Sequence, residues 1–289
     1  MRFTSRIARR ASRTLYGPLE SIYRRAERAQ LSRGAVLEHI PPASKRGGGL
    51  GTTTYGEWAY TIGLFGSLIF RNLPKRPIRM LDVGCGVGRL YLAVKPYLSP
   101  SDHYTGIDIG ESFIDICKRQ YAASNISFVH TPNTNAFYTG SNSDDYTPWP
   151  FRDRSMNLVT ALSVWTHLRE EDWRFYLSEV SRVLAPKGRA IISFFIMDEL
   201  YRPKEKRSQM SEFYPQREDK WIFDQPVYGS KHWKHPLDVS VPEVAIAVPK
   251  KVFDKEIAAA GLKVREYLSG QWKDQPGFFF QDVVVLEKM

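Results

Sequence analysis

The stretch Arg79-Met-Leu-Asp-Val-Gly-Cys-Gly-Val-Gly-Arg-Leu90 decides the fold of this chain. Its apolar first half predicts a short buried strand, and an apolar helical period begins at Leu90. Between them stand glycines at alternate positions, Gly84, Gly86 and Gly88. Glycines at such a junction allow positive φ and leave no Cβ, so the backbone can pass close to a ligand. The ligand's polar end then meets the N–H groups that open the helix.

The spacing of these glycines bears on which ligand the turn holds. A dinucleotide fingerprint has the pattern G-x-G-x-x-G, whereas here the third glycine comes one residue early and Arg89 follows it. Asp82 precedes the first glycine by two residues. The resulting Asp-x-Gly-x-Gly-x-Gly resembles motif I of the class I S-adenosylmethionine (SAM) methyltransferases, in which the loop wraps the methionine and ribose end of the cofactor.

A second acidic residue follows the next predicted strand. Residues 103–109 have the pattern of a strand, and Asp108 near its end stands 26 residues after Asp82. A carboxylate at that place can accept hydrogen bonds from both hydroxyls of a ribose. Since SAM and NAD both carry that ribose, Asp108 indicates a nucleoside cofactor, and the glycine spacing has to distinguish the two.

Alternating strands and helices continue to residue 196 and predict a parallel sheet with right-handed crossovers and a ligand at its carboxyl edge. We predict an α/β, Rossmann-like doubly wound fold with a mostly parallel seven-stranded sheet, an antiparallel C-terminal edge and an N-terminal helical arm. The further strands are predicted at 125–129, 156–162, 189–196, 264–268 and 278–286, and the helices at 55–72, 90–98, 112–121, 170–184 and 253–260.

The composition is that of a globular protein, with 289 residues of which 43% are hydrophobic and 25% charged. No apolar run reaches the roughly 18 residues that a membrane-spanning helix requires. Cys85 and Cys117 stand 32 residues apart without a C-x-x-C pair, which indicates neither a disulfide framework nor a zinc site. A reducing, cytoplasmic setting fits this use of cysteine.

The net charge of +10 is concentrated in an N-terminal arm. Residues 1–46 contain eleven Lys and Arg and three Glu, so the remaining 243 residues carry only +2. The body of the protein is therefore nearly neutral, which argues against a nucleic-acid-binding surface on it.

Apolar residues in the arm recur every three to four positions from Phe3 to Ala26, so one helical face is apolar and the other arginine-rich. Three interpretations remain open. Residues 1–30 can make a peripheral contact with an anionic membrane, at its inner face. An Arg- and Ser-rich start can be a mitochondrial transit peptide. In the third, the apolar face packs on the protein's own domain.

Much of the chain, roughly residues 56–200 and 250–289, resembles the type 11 kind of class I SAM-dependent methyltransferase. The likeness also rests on Trp149-Pro-Phe151, Ser163-Val-Trp-Thr-His167 and Ser181-Arg-Val-Leu-Ala-Pro-Lys-Gly188. It departs at Asn157, where the family usually has Asp, and at Lys187-Gly188, where it usually has Gly-Gly. The resemblance implies SAM as cofactor and, as residues that bind it, Asp82, Gly84, Cys85, Gly86, Gly88, Asp108, Ile109, Asn133 and Ser163.

We expect two parts in the chain. Residues 1–50 form the basic amphipathic arm and a linker rich in proline and glycine, and residues 51–289 form the SAM-binding methyltransferase domain. Residues 198–250 interrupt the strand and helix pattern and interleave aromatic with charged residues. In the resembling enzymes such an insertion forms the acceptor side of the pocket. A rim that merely covers the sheet is the alternative.

The resemblance further implies methyl transfer, and a hydroxyl acceptor then needs a base. His167 stands just past the fourth strand, where acceptors commonly approach in such enzymes, and is our first candidate. The alternative is a helix-start histidine that bonds the backbone. His232, His235 and Glu243 are weaker candidates. The strand ends carry no cluster of carboxylates, so we predict no metal site.

The resemblance also indicates which class of molecule accepts the methyl group. Similar proteins with a Ser-Val-Trp-Thr-His stretch and, nearer the carboxyl end, Trp272 and Gln281-Asp282 are often associated with bacterial glycan or glycolipid pathways. We therefore expect O-methylation of a sugar hydroxyl. The alternatives are an RNA methyltransferase that uses the basic arm, a methyltransferase of another small molecule, and a SAM-binding protein without catalysis. An NAD-dependent oxidoreductase is disfavoured by the glycine spacing.

Overall fold

A computed structural model of the chain describes residues 18–22, 25, 39–46, 54–121, 123–140, 142–143, 146–202 and 221–289. The described residues fall into two compact units, the first within residues 1–71 and 86–98 and the second within residues 72–85 and 99–289. Most of the predicted amphipathic arm, the glycine linker at 47–49 and residues 203–220 of the predicted insertion lie outside the described residues.

The first unit is built on a long apolar helix, α1 (Tyr55–Asn72). α2 (Arg89–Val94) lies close beside it, since the carbonyl oxygen of Ala93 is 3.2 Å from the place where a Cβ on Gly66 would stand. The guanidinium of Arg89 lies 4.9 Å from the centre of the Trp58 ring. The buried face of α1 carries large side chains at helical spacing, among them Trp58, Phe65, Leu68 and Ile69.

One turn of the arm, residues 18–22, is described and is helical. Its apolar side chains are exposed, Leu19 by 62% and Ile22 by 66%, whereas Glu20 is buried. The Glu20 carboxylate accepts hydrogen bonds from the Arg46 guanidinium at 2.6 and 2.5 Å. The apolar side chains of this turn therefore do not pack on the described part of the unit. No described helix is both long and apolar enough to cross a bilayer.

The second unit is organised around a sheet. The strands of the described residues are β1 (Arg79–Val83), β2 (His103–Asp108), β3 (Ile126–His130), β4 (Met156–Ala161), β5 (Leu184–Phe194), β6 (Ile196–Met197), β7 (Phe223–Pro226), β8 (Lys234–Pro236), β9 (Val248–Pro249), β10 (Leu262–Leu268) and β11 (Asp282–Lys288). The further helices are α3 (Glu111–Gln120), α4 (Ala136–Thr139), α5 (Glu170–Val183) and α6 (Lys250–Ala259).

Seven of these strands form the main sheet, in the order β10-β11-β5-β4-β1-β2-β3. β1 to β5 run parallel to one another, and β11 is antiparallel to both β5 and β10. The predicted Rossmann-like, mostly parallel sheet with an antiparallel edge is confirmed. Because β2, β1 and β4 are adjacent and parallel, the segments that follow Asp108, Val83 and Ala161 emerge at one edge.

The last strand begins later than its apolar pattern predicts, at Asp282 instead of residue 278. The backbone before it is engaged elsewhere. The N–H groups of Gln271 and Trp272 donate to the carbonyls of Phe279 and Phe280 at 2.9 and 3.0 Å. These bonds bind residues 278–280 to the turn after β10, so the ladder with β10 starts only beyond them.

The aromatic side chains of the insertion pack on the end of β5. Trp221 and Phe223 are buried, and their ring centres lie 5.1 and 5.3 Å from that of Phe195. Trp272 and Phe280 belong to the same cluster. This part of the insertion therefore covers the sheet, as the rim interpretation predicts, and does not offer these rings as a platform for an acceptor.

Candidate functional site

Asp82 lies at the carboxyl end of β1 and is only 1% exposed. Both of its carboxylate oxygens accept hydroxyl groups, Oδ2 that of Tyr104 at 2.6 Å and Oδ1 that of Thr160 at 2.8 Å. These partners stand on β2 and β4, so Asp82 joins three neighbouring strands. Burial raises the pKa of Asp82 to about 7, although both hydroxyl bonds act against the shift. Asp82 thus fixes the end of the strand from which the glycine loop departs.

That loop has the backbone conformation that its glycines predict. The φ angles of Gly84, Gly86 and Gly88 are +66°, +51° and +88°, which a residue with a side chain rarely adopts. At Gly84 a side chain would also find no space, because an added Cβ would lie 2.4 Å from Cγ2 of Val164. At Gly86 the same added atom would meet nothing within 4 Å. The loop therefore packs on the segment after β4 at Gly84 and is open at Gly86.

Asp108 ends β2 at the same edge of the sheet. Its Oδ1 accepts the N–H of Gly110 at 2.7 Å, which holds the carboxylate at the start of α3. Tyr138 is 52% exposed, but desolvation of its hydroxyl and, to a smaller extent, the charge of Asp108 raise its pKa to about 12, so this carboxylate and Tyr138 lie near each other. Ile109 follows directly, and its carbonyl oxygen lies 3.2 Å from Nε2 of His130.

The loop after β3 contains two asparagines in different surroundings. Asn135 is buried and engaged, since Oδ1 accepts the N–H of Phe137 at 3.1 Å as the N-cap of α4. Its Nδ2 donates to the carbonyl of His167 at 2.8 Å. Asn133 is partly buried, and its side-chain amide makes no hydrogen bond to the part of the chain that is described. Asn135 thus helps to position His167, whereas the Asn133 side-chain amide has no partner among the described residues.

Cys85 fastens the loop to β2. Its N–H donates to the carbonyl of Ile107 at 3.0 Å, and its thiol is hydrogen-bonded to that of Cys117 on α3. That bond and burial raise the pKa of Cys85 well above its ordinary value. Gly106 makes room for the thiol, because an added Cβ there would lie 2.9 Å from Sγ.

His167 ends a one-turn 3₁₀ helix (Trp165–His167) after β4 and is partly buried. Its Nδ1 lies 2.7 Å from the carbonyl oxygen of Glu243, which can only accept, so Nδ1 carries the proton and Nε2 the lone pair. Phe137 stacks on the imidazole with ring centres 5.7 Å apart, and Tyr138 meets its edge at 5.4 Å. Burial lowers the pKa of His167 to about 4, so the ring is neutral near pH 7.

Ser163 lies two positions after β4 and has a φ of +60°, which is uncommon for a residue other than glycine. Its Oγ lies 3.3 Å from Nε2 of His167 and accepts a hydrogen bond from the amide of Gln281 at 2.8 Å. Its N–H donates to Oγ of Ser193 at 2.7 Å, and Ser193 donates in turn to Oε1 of Gln281 at 2.6 Å. The ends of β4, β5 and β11 thus meet in one polar network.

The insertion reaches this network through Glu243. That residue is fully buried, and its carboxylate accepts hydrogen bonds from Asn142 at 2.6 Å and from the hydroxyl of Tyr228 at 3.0 Å. Tyr228 is 60% exposed. Because the Glu243 carbonyl holds His167 and Phe137 stacks on its ring, the insertion and the loop after β3 both contribute to the surroundings of the imidazole.

The weaker histidine candidates take other partners. Nδ1 of His235 donates to the carbonyl of Pro236 at 2.8 Å, and the N–H of His232 donates to Oγ of Ser230 at 3.2 Å. In the described ranges, neither histidine bonds to the network around His167. The same ranges contain no group of three or more His, Cys, Asp or Glu that could hold a metal ion.

Comparison with known proteins bears on the stretch that carries this site. Residues 80–188 match the profile of a methyltransferase domain family. The demethylmenaquinone methyltransferase of Staphylococcus aureus is 29% identical over 119 residues, which are 40% of this chain and 43% of that protein. The chain thus matches less than half the length of the curated relatives it resembles.

Solved structures extend the likeness to the fold. The PH0226 protein of Pyrococcus horikoshii is 19% identical, covers 81% of this chain and 92% of its own, and superposes with a TM-score of 0.52. A SAM-dependent methyltransferase of Methanosarcina mazei is 17% identical over 76% of this chain and 97% of its own, with a TM-score of 0.49. At these identities the likeness to the Pyrococcus protein shows the fold.

Residues 80–188 therefore match a methyltransferase domain, for which SAM is the expected cofactor. The donors and acceptors at the sheet edge fit that cofactor. Asp108 offers a carboxylate of the kind that binds a ribose, and Asn133 offers an amide suited to an adenine edge.

Several partners in the network were not predicted. Ser193 and Gln281 act on Ser163 across the sheet, and Glu243 acts through its backbone carbonyl. One signal was present in the sequence, because Ser193 is the single hydroxyl in the apolar run of β5, and a buried polar side chain implies a partner.

Proposed function

We propose that this chain transfers the methyl group of SAM to an oxygen acceptor, and that the acceptor is a sugar hydroxyl in a glycan or glycolipid. The observation that carries the proposal is the pair formed by Ser163 and His167, in which a neutral imidazole turns its Nε2 lone pair toward a hydroxyl group. An oxygen acceptor has to lose its proton, and this pair accepts one.

The cofactor is held, in this proposal, by the loop after β1 and by the segments that follow the neighbouring strands. Asp108 accepts the ribose hydroxyls and Asn133 faces the adenine edge. Bound SAM supplies an electrophilic methyl group. The other proposed contacts, direct or through the loop that they hold, are Asp82, Gly84, Cys85, Gly86, Gly88, Ile109 and Ser163.

A base with a low pKa suits this reaction. The hydroxyl proton becomes strongly acidic as the oxygen gains a methyl group, so a weak base takes it readily. Burial keeps His167 neutral down to a pH near its pKa of about 4, so the acceptor form is present across the physiological range. The same low affinity returns the proton quickly to water.

Exposed rings close to His167 support a sugar as the acceptor. Phe137 and Tyr138, which contact the imidazole, are 40% and 52% exposed, and Tyr228 is 60% exposed. Aromatic faces beside hydrogen-bonding groups suit the alternating apolar and hydroxyl surfaces of a sugar ring. Trp272 and Gln281-Asp282, which carry the resemblance to glycan-pathway proteins, lie at the same end of the sheet, since Gln281 bonds Ser163.

Two measurements test the proposal in order. Calorimetry on the full chain should detect S-adenosylhomocysteine binding and no NAD binding, and the reverse result would overturn the assignment. Tritiated SAM is then incubated with a bacterial glycolipid extract, and the label should appear in methylated sugars after acid methanolysis. His167→Gln should lower that transfer about 100-fold, which is the lower end of general-base contributions.

A quinone is the second candidate acceptor, because the 29% identical relative is named a demethylmenaquinone methyltransferase. Demethylmenaquinone and total RNA are therefore run beside the glycolipid extract. Transfer of label to the quinone alone would replace the sugar as acceptor. Transfer to RNA that falls steeply with added salt would favour the basic arm as an RNA-binding tail.

We also propose that the arm holds the enzyme at the inner face of an anionic membrane, where lipid-linked acceptors lie. The exposed Leu19 and Ile22 and the ten Lys and Arg of residues 1–46 other than the buried Arg46 support this. The full chain should sediment with phosphatidylglycerol vesicles and not with phosphatidylcholine vesicles. Leu19→Ser with Ile22→Ser should weaken that binding, and deletion of residues 1–46 should abolish it. Unchanged sedimentation would contradict the proposal.

A further inference from the structure

In the polar network around Ser163, the donor and the acceptor of each hydrogen bond can be assigned. Nδ1–H of His167 donates to the carbonyl of Glu243, which leaves Nε2 as an acceptor. The amide of Gln281 donates to Oγ of Ser163 at 2.8 Å, while its Oε1 accepts the hydroxyl of Ser193 at 2.6 Å. Because Oγ of Ser163 already receives an N–H, its own proton points at Nε2 of His167, 3.3 Å away.

Both nitrogens of His167 are engaged within the chain. Nδ1 is bonded to the Glu243 carbonyl, Nε2 faces Ser163, and Phe137 stacks over the ring. Ser163 is itself only partly buried and lies in the segment that follows β4 at the carboxyl edge. A proton that arrives from an acceptor at this edge therefore reaches Nε2 through Oγ of Ser163.

The backbone of Ser163 is held in a conformation that glycine would adopt more easily. Its φ is +60°, and its N–H is fixed by Oγ of Ser193 at 2.7 Å. Left-handed conformations of residues with a side chain are unfavourable and cluster at functional sites. Here the chain carries a hydroxyl at a position whose backbone favours glycine, and that hydroxyl is the group that bonds His167.

We propose that Ser163 is a catalytic residue that relays the acceptor's proton to His167 and that Gln281 positions its hydroxyl; this inference rests on the proposed methyl transfer. As the acceptor oxygen bonds to the methyl carbon, the bond from that carbon to the SAM sulfur breaks and its electron pair stays on sulfur. The acceptor's proton passes to Oγ of Ser163 while the proton of Ser163 passes to Nε2 of His167. The imidazolium then returns a proton through Oγ of Ser163 to water.

The groups that face His167 set the pH range of this relay. From the strands it meets only the uncharged side chains of Gln281 and Ser193, through Ser163. The titratable groups on the other elements around it are Tyr138, Asp108 beyond that ring, and the carboxylate of Glu243, which is turned to Asn142 and Tyr228. Methyl transfer should therefore stay constant from neutral pH down to the pKa of His167 near 4.

Gln281→Glu tests the direction of the network with an isosteric change. The introduced carboxylate still accepts from Ser193 but cannot donate to Ser163, so the Ser163 hydroxyl should turn to it. In the full chain labelled with ¹⁵N-histidine, the Nε2 resonance of His167 should move toward that of a nitrogen without a hydrogen bond. The kcat of methyl transfer should fall about 100-fold, the lower end of proton-transfer contributions, while S-adenosylhomocysteine affinity stays within twofold.

Gln271→Glu is the matched control for this variant. It makes the same change at a partly buried glutamine nearby, whose amide donates to the carbonyl of Gly277 at 3.0 Å and not to the network. It should leave the His167 resonance and kcat unchanged. The His167 resonance is identified by its loss in His167→Gln.

Ser163→Gly removes the relaying hydroxyl where the backbone accepts glycine. It should reproduce the ¹⁵N shift and the fall in kcat, and Ser163→Ala should match it. An unchanged Nε2 resonance or an unchanged kcat in these variants, or a loss of S-adenosylhomocysteine affinity in Gln281→Glu, would each overturn the relay. Failure of the wild-type chain to bind S-adenosylhomocysteine or to transfer methyl groups would instead overturn the proposed function.

Discussion

Gln281, just before β11, and Asp282, its first residue, belong to different kinds of polar cluster. Gln281 belongs to the uncharged network around His167. Asp282 belongs to a charged cluster in which Nζ of Lys273 lies 2.7 Å from Oδ1 of Asp282 and 2.6 Å from Oδ2 of Asp198. A single step along the chain therefore separates the two clusters.

The clusters differ in how completely their bonds are satisfied. The Asp282 carboxylate accepts hydrogen bonds from the N–H groups of Ile196 and Gly270 and from Nε1 of Trp272, besides its contact with Lys273. The side chain of Lys273 has no exposure. A saturated, buried ion cluster holds the structure and can do little else. A network that sets a hydroxyl proton in front of a lone pair can also move that proton.

Removal of the cation from the charged cluster should have the largest effect. Lys273→Met leaves the carboxylates of Asp198 and Asp282 buried without their counter-ion, so the free energy of unfolding should fall by about 3–5 kcal/mol. Urea denaturation measures it. Lys250→Met is the control, because the exposed pair of Lys250 with Asp254 should lose at most about 0.5 kcal/mol. Equal losses in the two variants would remove the distinction between a buried and an exposed pair.

The buried groups His167 and Asp82 should make the free energy of unfolding depend on pH. The pKa of His167 is lowered to about 4, so its protonation in the unfolded chain destabilises the fold as pH drops from about 6.5. The pKa of Asp82 is raised to about 7, so its ionisation destabilises the fold as pH rises from about 4. Over the range from about pH 4 to 6.5 the two contributions oppose each other, each by up to about 3 kcal/mol.

Single variants should separate these opposing contributions. Relative to the wild type, Asp82→Asn should gain stability as pH rises from about 4 to 7, because the cost of ionising Asp82 is gone. His167→Gln should show the opposite slope in its difference from the wild type. Thermal unfolding at half-unit steps of pH measures both. Parallel curves for wild type and variants would show that neither group is held away from its ordinary pKa.

The close contact between Gly270 and the backbone of residues 281 and 282 should contribute less to the free energy of unfolding than the charged cluster does. A Cβ added to Gly270 would lie 2.5 Å from the carbonyl carbon of Gln281 and 2.6 Å from the nitrogen of Asp282. Gly270→Ala should therefore cost about 1–3 kcal/mol of unfolding free energy through overpacking against backbone. Gly63→Ala, where an added Cβ meets nothing within 4 Å, is the matched control and should gain up to about 1 kcal/mol in its helix. A Gly270→Ala variant as stable as wild type would contradict the close approach.

The smallest expected effect is a difference in stability between two variants of Ser163. This difference separates the backbone strain at Ser163 from the hydrogen bonds of its hydroxyl. Ser163→Gly and Ser163→Ala lose the same bonds to Gln281 and His167, but only alanine keeps the unfavourable positive φ. The glycine variant should therefore be the more stable by about 1 kcal/mol in urea denaturation. Equal stabilities would show that the backbone relaxes at this position once the hydroxyl is gone.

The sheet and the loop after β1 could be predicted because their signals are local. The apolar run before Gly84 predicts β1, the alternate glycines predict the positive φ angles, and the spacing from Asp82 predicts Asp108 at the end of β2. Parallel strands with short crossovers then bring these residues to one edge. The position of His167 just past the fourth strand follows from the same alternation.

The connections around His167 could not be predicted in the same way. The bond between Ser163 and Gln281 joins residues 118 positions apart, and that between His167 and Glu243 spans 76. No periodicity in the sequence encodes such pairs, because they depend on which strand lies beside β5 and on how the insertion folds back. The inward packing of Trp221 and Phe223 was equally hidden, since interleaved aromatic and charged residues suit a buried rim as well as an open platform.

The alternation at Gln281 and Asp282 makes strand register a condition for activity. A slip of β11 by one residue would place either the Asp282 carboxylate beside Ser163 or, in the other direction, Gln281 beside the buried ammonium of Lys273. The misaligned molecule would lose its counter-ion and its proton path together. A one-residue error in this strand would therefore reduce the stability of the fold and remove the proposed relay at the same time.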